Sequence, residues 1–108
     1  YQTHEIDLDQ VQLPDYANLE KPLMEVFTLD SSTCPACGYM KLAAERAAEE
    51  MDGKVDMVEY KITTPENIAR MKKLGVQNLP SILINGNLKF SSLIPSNREL
   101  LEAIQSYL

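Results

Sequence analysis

Apolar side chains fall along this chain in two rhythms. Leu23 to Leu29 is dense in Val, Phe and Leu and reads as a first core strand. From Met40, small and apolar residues return at Ala43, Ala44, Ala47 and Met51, while Lys41, Glu45, Arg46, Glu49 and Glu50 take the intervening places. That is one buried face of a helix, which Pro35 opens and Asp52-Gly53 ends. Val55 to Ile62 alternates and predicts a second strand. Thr64-Pro65 is an N-cap followed by a first-turn proline, and the helix it opens passes Ile68, Met71 and Leu74 to stop at Gly75. Ser81 to Ile84 is a third strand. Asn85-Gly86 is a two-residue hairpin signal, and Asn87 to Phe90 returns from it. Ser96-Asn97-Arg98-Glu99 is a capping box for a last helix with Leu100, Leu101, Ile104 and Leu108 on one face. The order is β-α-β-α-β-β-α. A helical crossover makes the first two strands parallel and the hairpin makes the last two antiparallel. The fold class is therefore α/β, with a central mixed four-stranded sheet flanked by helices.

Residues 1–22 differ in character. They carry Glu5, Asp7, Asp9, Asp15 and Glu20 against one Lys21, broken by Pro14 and Pro22. We read them as an N-terminal arm or linker lying ahead of a domain at 23–108. Ile6 and Leu8, then Val11 and Leu13, alternate and permit a short edge strand; His4 reads as an exposed polar residue. A net charge of −6 argues against nucleic acid or an anionic membrane as partner. No stretch approaches the ~18 apolar residues of a membrane span. No signal peptide is visible, and the default expectation for location is cytoplasmic. A monomer is the simplest expectation.

The chemistry sits in Thr33-Cys34-Pro35-Ala36-Cys37-Gly38, which holds the only two cysteines, after the first strand and at the mouth of the first helix. The unpaired N–H groups and positive dipole end there favour a thiolate at Cys34. Cys37, one turn inside, is close enough to resolve a mixed disulfide. The alternatives are two inert core thiols or a metal site, although zinc and iron–sulfur sites ask for four ligands and only His4 stands elsewhere. Met24, Met40, Met51, Met57 and Met71 read as core filler, Lys41 as solvated, and Tyr39 as either site rim or helix packing.

The element order, the C-x-x-C after the first strand and Leu79-Pro80 heading the third strand resemble the thioredoxin fold over Leu23 to Leu108. The resemblance implies a cis Leu79-Pro80 bond lying against an active-site disulfide of Cys34 and Cys37. It also implies that Leu79 offers its backbone to an extended substrate, with Thr33, Pro35, Ala36 and Pro80 completing the binding surface. There are departures. The chain has no tryptophan, and Thr28 stands where thioredoxin has a buried aspartate six residues before the first cysteine. Ser32-Thr33-Cys34-Pro35 is similar to glutaredoxin, yet Leu79 replaces the valine before the cis-proline. Leu93 to Asn97 replaces a Gly-Gly turn followed by aspartate. Such a mixture is similar to small redox-active disulfide proteins of bacteria and archaea, some of them fused to larger enzymes. The activity implied is thiol–disulfide exchange, with Cys34 as nucleophile and Cys37 as resolving thiol. The potential expected by analogy is roughly −200 to −270 mV. No cofactor beyond the disulfide and no metal is implied. The partners implied are a disulfide-containing protein substrate and a reductase or low-molecular-weight thiol as electron donor. The alternative functions are a redox-linked docking or electron-transfer module serving one partner, and a metal or cluster carrier.

Overall fold

The computed structural model describes residues 13–30 and 32–108. The expectations for His4, Ile6, Leu8 and Val11 lie outside the described residues. The elements follow the predicted order: β1 Leu23–Thr28, α1 Pro35–Glu50, β2 Asp56–Lys61, α2 Pro65–Leu74, β3 Ser81–Ile84, β4 Asn87–Ser91 and α3 Asn97–Gln105. The sheet order is β2-β1-β3-β4. β1 runs parallel to β2 with Val26 opposite Glu59, and antiparallel to β3 with Phe27 opposite Ser81.

Period-two alternation along β1 sorts the core into two halves. Met24 and Val26 pack with Met40, Ala44, Ala47, Ile82, Ile84, Leu100 and Ile104 under α1 and α3. Phe27 points to the other face, with Ile62, Val76 and Leu83, where Ile68, Met71 and Leu74 of α2 cover it. The sheet is thus sandwiched, and its central strands β1 and β3 are buried on both sides.

The punctuation behaves as its chemistry dictates. The Thr64 hydroxyl accepts the Asn67 N–H, and Gly75 closes α2 at φ 77°. Ser96 and Glu99 form the reciprocal capping box. Asn85 and Gly86 both have positive φ, 52° and 81°, as a tight right-twisted hairpin requires. Leu108 departs from the predicted face of the last helix: α3 ends at Gln105, and Leu108 lies past it, 60% exposed.

Residues 13–22 contain no strand, but they are tied down at Tyr16. Its ring covers Gly86, and its hydroxyl donates to Glu25 Oε1 at 2.5 Å. Glu25 is fully buried in β1. Tyr60 faces the same carboxyl, and the Arg70 guanidinium lies over the Tyr60 ring at 4.5 Å. Burial first, and Glu25 after it, push both phenols well above the ordinary tyrosine range.

Candidate active site

β1 ends at Thr28 and the chain turns at once. The Asp30 carbonyl accepts the N–H of Thr33 at 3.0 Å and of Cys34 at 2.8 Å, which sets Cys34 at the start of α1. The Asp30 carboxylate accepts the Ser32 hydroxyl at 2.6 Å and backbone N–H at 3.0 Å, and meets Lys61 Nζ at 3.5 Å. Those hydrogen bonds from Ser32, then Lys61, hold its carboxyl below the usual aspartate range. Asp30 therefore stays charged, with its charge already shared by Ser32 and Lys61 rather than aimed unopposed at Cys34.

Cys34 is the N-cap of α1, in extended conformation at φ −105°, and its Sγ accepts the Cys37 N–H at 3.3 Å. Pro35 takes the first helical position, where a missing N–H costs nothing. Cys37 is completely buried, and its Sγ receives the Leu29 N–H at 3.4 Å. The two cysteines are joined as a disulfide, their Cα atoms 5.1 Å apart. Cys34 is a half-exposed residue and Cys37 is closed off. Each has a backbone N–H pointed at it, which favours the thiolate once the bond is reduced.

Among the other predicted site residues, Thr33, Pro35 and Ala36 are exposed around Cys34. The Leu79-Pro80 bond is cis. Because Phe27 pairs with Ser81, Pro80 comes level with Thr28, at the end of the sheet from which the cysteine loop springs. Pro80 is buried, its carbonyl accepts the Ser92 N–H at 2.9 Å, and Leu79 is half-buried against the α2-side core. Tyr39 is 65% exposed and lines a cleft of about 320 Å³ with Leu42, Arg46, Ile94 and Pro95, so it belongs to the surface rather than the helix packing.

Two features escaped the sequence reading. Lys41 is not simply solvated: its Nζ lies 3.6 Å from Glu59 Oε1. Glu59 in turn accepts the hydroxyl of the fully buried Thr28 at 2.6 Å on Oε2, and its side chain is only 10% exposed. The available signal was parity. Glu59 shares a strand face with Met57, which packs against the α1-side core.

A family model described as a thioredoxin domain matches residues 24–105. The chain belongs to the thioredoxin family. It is 37% identical over 90 residues to a thioredoxin of Methanocaldococcus jannaschii, covering 83% of this chain and all of that one. The solved structure of chloroplastic thioredoxin z superposes with a TM-score of 0.63 at 26% identity, over 84% of this chain and 81% of that chain. Mitochondrial thioredoxin 3 of Saccharomyces cerevisiae, in its oxidized form, shares the fold with a TM-score of 0.59 at 17% identity, over 80% and 78% of the two chains. As a thioredoxin-family member with a Cys34–Cys37 disulfide, the protein is a thiol–disulfide oxidoreductase. Membership of the thioredoxin family implies disulfide-bearing protein substrates and a reductase partner. Among the described residues, no group of three or more His, Cys, Asp or Glu side chains is disposed to hold a metal ion.

Proposed function

We propose that this thioredoxin-family protein reduces protein disulfides with Cys34 as nucleophile and Cys37 as resolving thiol, in a reducing compartment such as the cytosol. The observation that carries the assignment is the asymmetry of the pair. Cys34 is half-exposed at the N-terminus of α1, whereas Cys37 is wholly buried and bonded to Cys34. In the reduced protein the Cys34 thiolate attacks one substrate sulfur, and the other substrate sulfur leaves as a thiolate and takes a proton. Cys37 then loses its proton and attacks Cys34 Sγ. The second substrate thiolate departs, and the Cys34–Cys37 disulfide re-forms carrying the two electrons' worth of oxidation. A reductase or low-molecular-weight thiol resets the pair. An extended substrate segment lies across Thr33, Pro35 and Ala36 and pairs its backbone with Leu79, supported by the position of Pro80 at the same end of the sheet.

The test has two parts. Equilibration in dithiothreitol buffers, followed by alkylation and mass analysis, should show one two-electron transition at roughly −200 to −270 mV. Cys37→Ser should then accumulate a mixed disulfide between Cys34 and a protein substrate such as insulin, whereas Cys34→Ser should accumulate none. Trapping through Cys37 in the Cys34→Ser variant would reverse the roles.

A further inference from the structure

When Cys37 attacks, its thiol proton must go somewhere. Cys37 is 0% exposed, so bulk water does not reach it. The residue ahead of its hydrogen-bonding partner Leu29 is Thr28, also 0% exposed and on the α1 face of the sheet by its parity with Met24 and Val26. A threonine hydroxyl cannot keep a proton at neutral pH, but it can pass one on. Its own hydrogen is committed to Glu59 Oε2 at 2.6 Å, which leaves the oxygen's lone pairs free to accept.

We propose that Glu59 takes the Cys37 proton by way of the Thr28 hydroxyl, which makes Glu59 a positioning and proton-accepting residue for the resolving step. The inference rests on the assignment of Cys37 as the resolving thiol. The Cys37 S–H bond breaks and its proton enters the Thr28 hydroxyl, whose own proton passes to the Glu59 carboxylate. The Cys37 sulfur then forms its bond to Cys34 Sγ, and the Cys34–substrate bond breaks with its electron pair leaving on the substrate sulfur. When the disulfide is later reduced, the same carboxylic acid returns the proton to the departing Cys37 thiolate.

The surroundings suit that task. A carboxylate set on a core-facing strand position is costly unless compensated. Lys41 of α1 compensates it from 3.6 Å on Oε1, and Oε2 accepts the hydroxyl. Beside the cysteine loop, Lys61 of β2 and Asp30 engage each other at 3.5 Å. The Asp30 carboxylate is engaged by Ser32 and Lys61, and no contact of it with Cys37 is seen among the described residues.

The experiment is stopped-flow reaction of the fully reduced chain with dithiobis(nitrobenzoate), whose nitrothiobenzoate absorbs as it leaves. The first release reports attack by Cys34 and scales with reagent; the second reports resolution by Cys37 and does not. Glu59→Gln, which keeps an acceptor for Thr28, should slow the second release on the order of 100-fold at pH 7. The lost rate should return about tenfold per pH unit as hydroxide replaces the carboxylate, while the first release keeps its rate. Thr28→Val should reproduce the effect, and Glu59→Asp should recover part of it. Equal slowing of both releases, or an unaltered second release and pH profile in Glu59→Gln and Thr28→Val, would overturn the proposal. If the wild-type protein gave only one release, the resolving role of Cys37 would fall and this inference with it. Two wild-type releases with unaltered variants would sink the inference alone.

Discussion

Replacing Tyr16 by Phe removes one oxygen and leaves the ring over Gly86, so its effect isolates a single hydrogen bond. That bond joins the Tyr16 hydroxyl to Glu25 Oε1 at 2.5 Å, and Glu25 is fully buried. The second carboxyl oxygen, Oε2, has no hydrogen-bond partner among the described residues, so Oε1 carries most of the compensation. Leaving a buried acceptor without its donor costs about 1–3 kcal/mol. With Tyr60 still facing the carboxyl, we expect Tyr16→Phe to lose about 2 kcal/mol. In a domain of this size that lowers Tm by about 8–16 °C, a change that urea unfolding with an unaltered slope would confirm. The alkaline limb gives a second reading. Both phenols titrate above the unfolded value of about 10, so the folded state holds protons that the unfolded chain releases. Their contribution is complete below pH ~10 and is lost as pH climbs from there toward the folded values. Tyr16→Phe should make the loss of stability above pH ~10 shallower. A loss under about 0.5 kcal/mol, with an unchanged alkaline limb, would refute the assignment of Tyr16 as a structural tie.

Two further substitutions test the turn and the core. Gly86→Ala should cost more than about 1 kcal/mol in thermal or urea unfolding, because φ is 81° there and the new Cβ would meet the Tyr16 ring at 3.0 Å. Removal of the ring in Tyr16→Ala should relieve part of that cost and so reveal the contact as a coupling in a double-mutant cycle. Leu100→Ala empties a fully buried position between α3 and α1 and should cost about 2–5 kcal/mol, while Leu108→Ala, past the end of α3, should stay within about 0.5 kcal/mol.

The architecture was legible because its signals are local and repeated. Thr64-Pro65, Gly75, Asn85-Gly86 and Ser96 to Glu99 each impose one backbone geometry, and the structure adopts it in every case. The spacing of Met40, Ala44, Ala47 and Met51 marks the buried face of α1 for the same reason. The cysteine pair was legible as well, since a C-x-x-C between a strand and a first-turn proline has few other uses. Leu108 was misplaced because helical periodicity cannot see where the helix stops. Lys41 was misread because its partner lies on another strand, and no window along the chain brings positions 41 and 59 together.

The buried Glu25 and the largely covered Glu59 escaped for a related reason, and their difference bears on mechanism. An acid inside a strand pattern reads as the solvent-facing half of an alternation, but strands sandwiched between helices have no solvent-facing half. Glu25 shares parity with Phe27, which places it on the α2 face, where Tyr16, Tyr60 and Arg70 surround it. Glu59 shares parity with Met57 and pairs in register with Val26, which places it on the α1 face, the face that carries Cys37. The sheet itself therefore separates Glu25 from the sulfurs, however deeply that carboxyl is buried. The proposed proton route to Cys37 thus runs on the Glu59 side, through the Thr28 hydroxyl. Glu25→Gln should accordingly change stability and leave the second nitrothiobenzoate release at its wild-type rate, the opposite of the pattern expected for Glu59→Gln. Slowed resolution in Glu25→Gln at unchanged stability would mean that face parity does not govern access to the thiol.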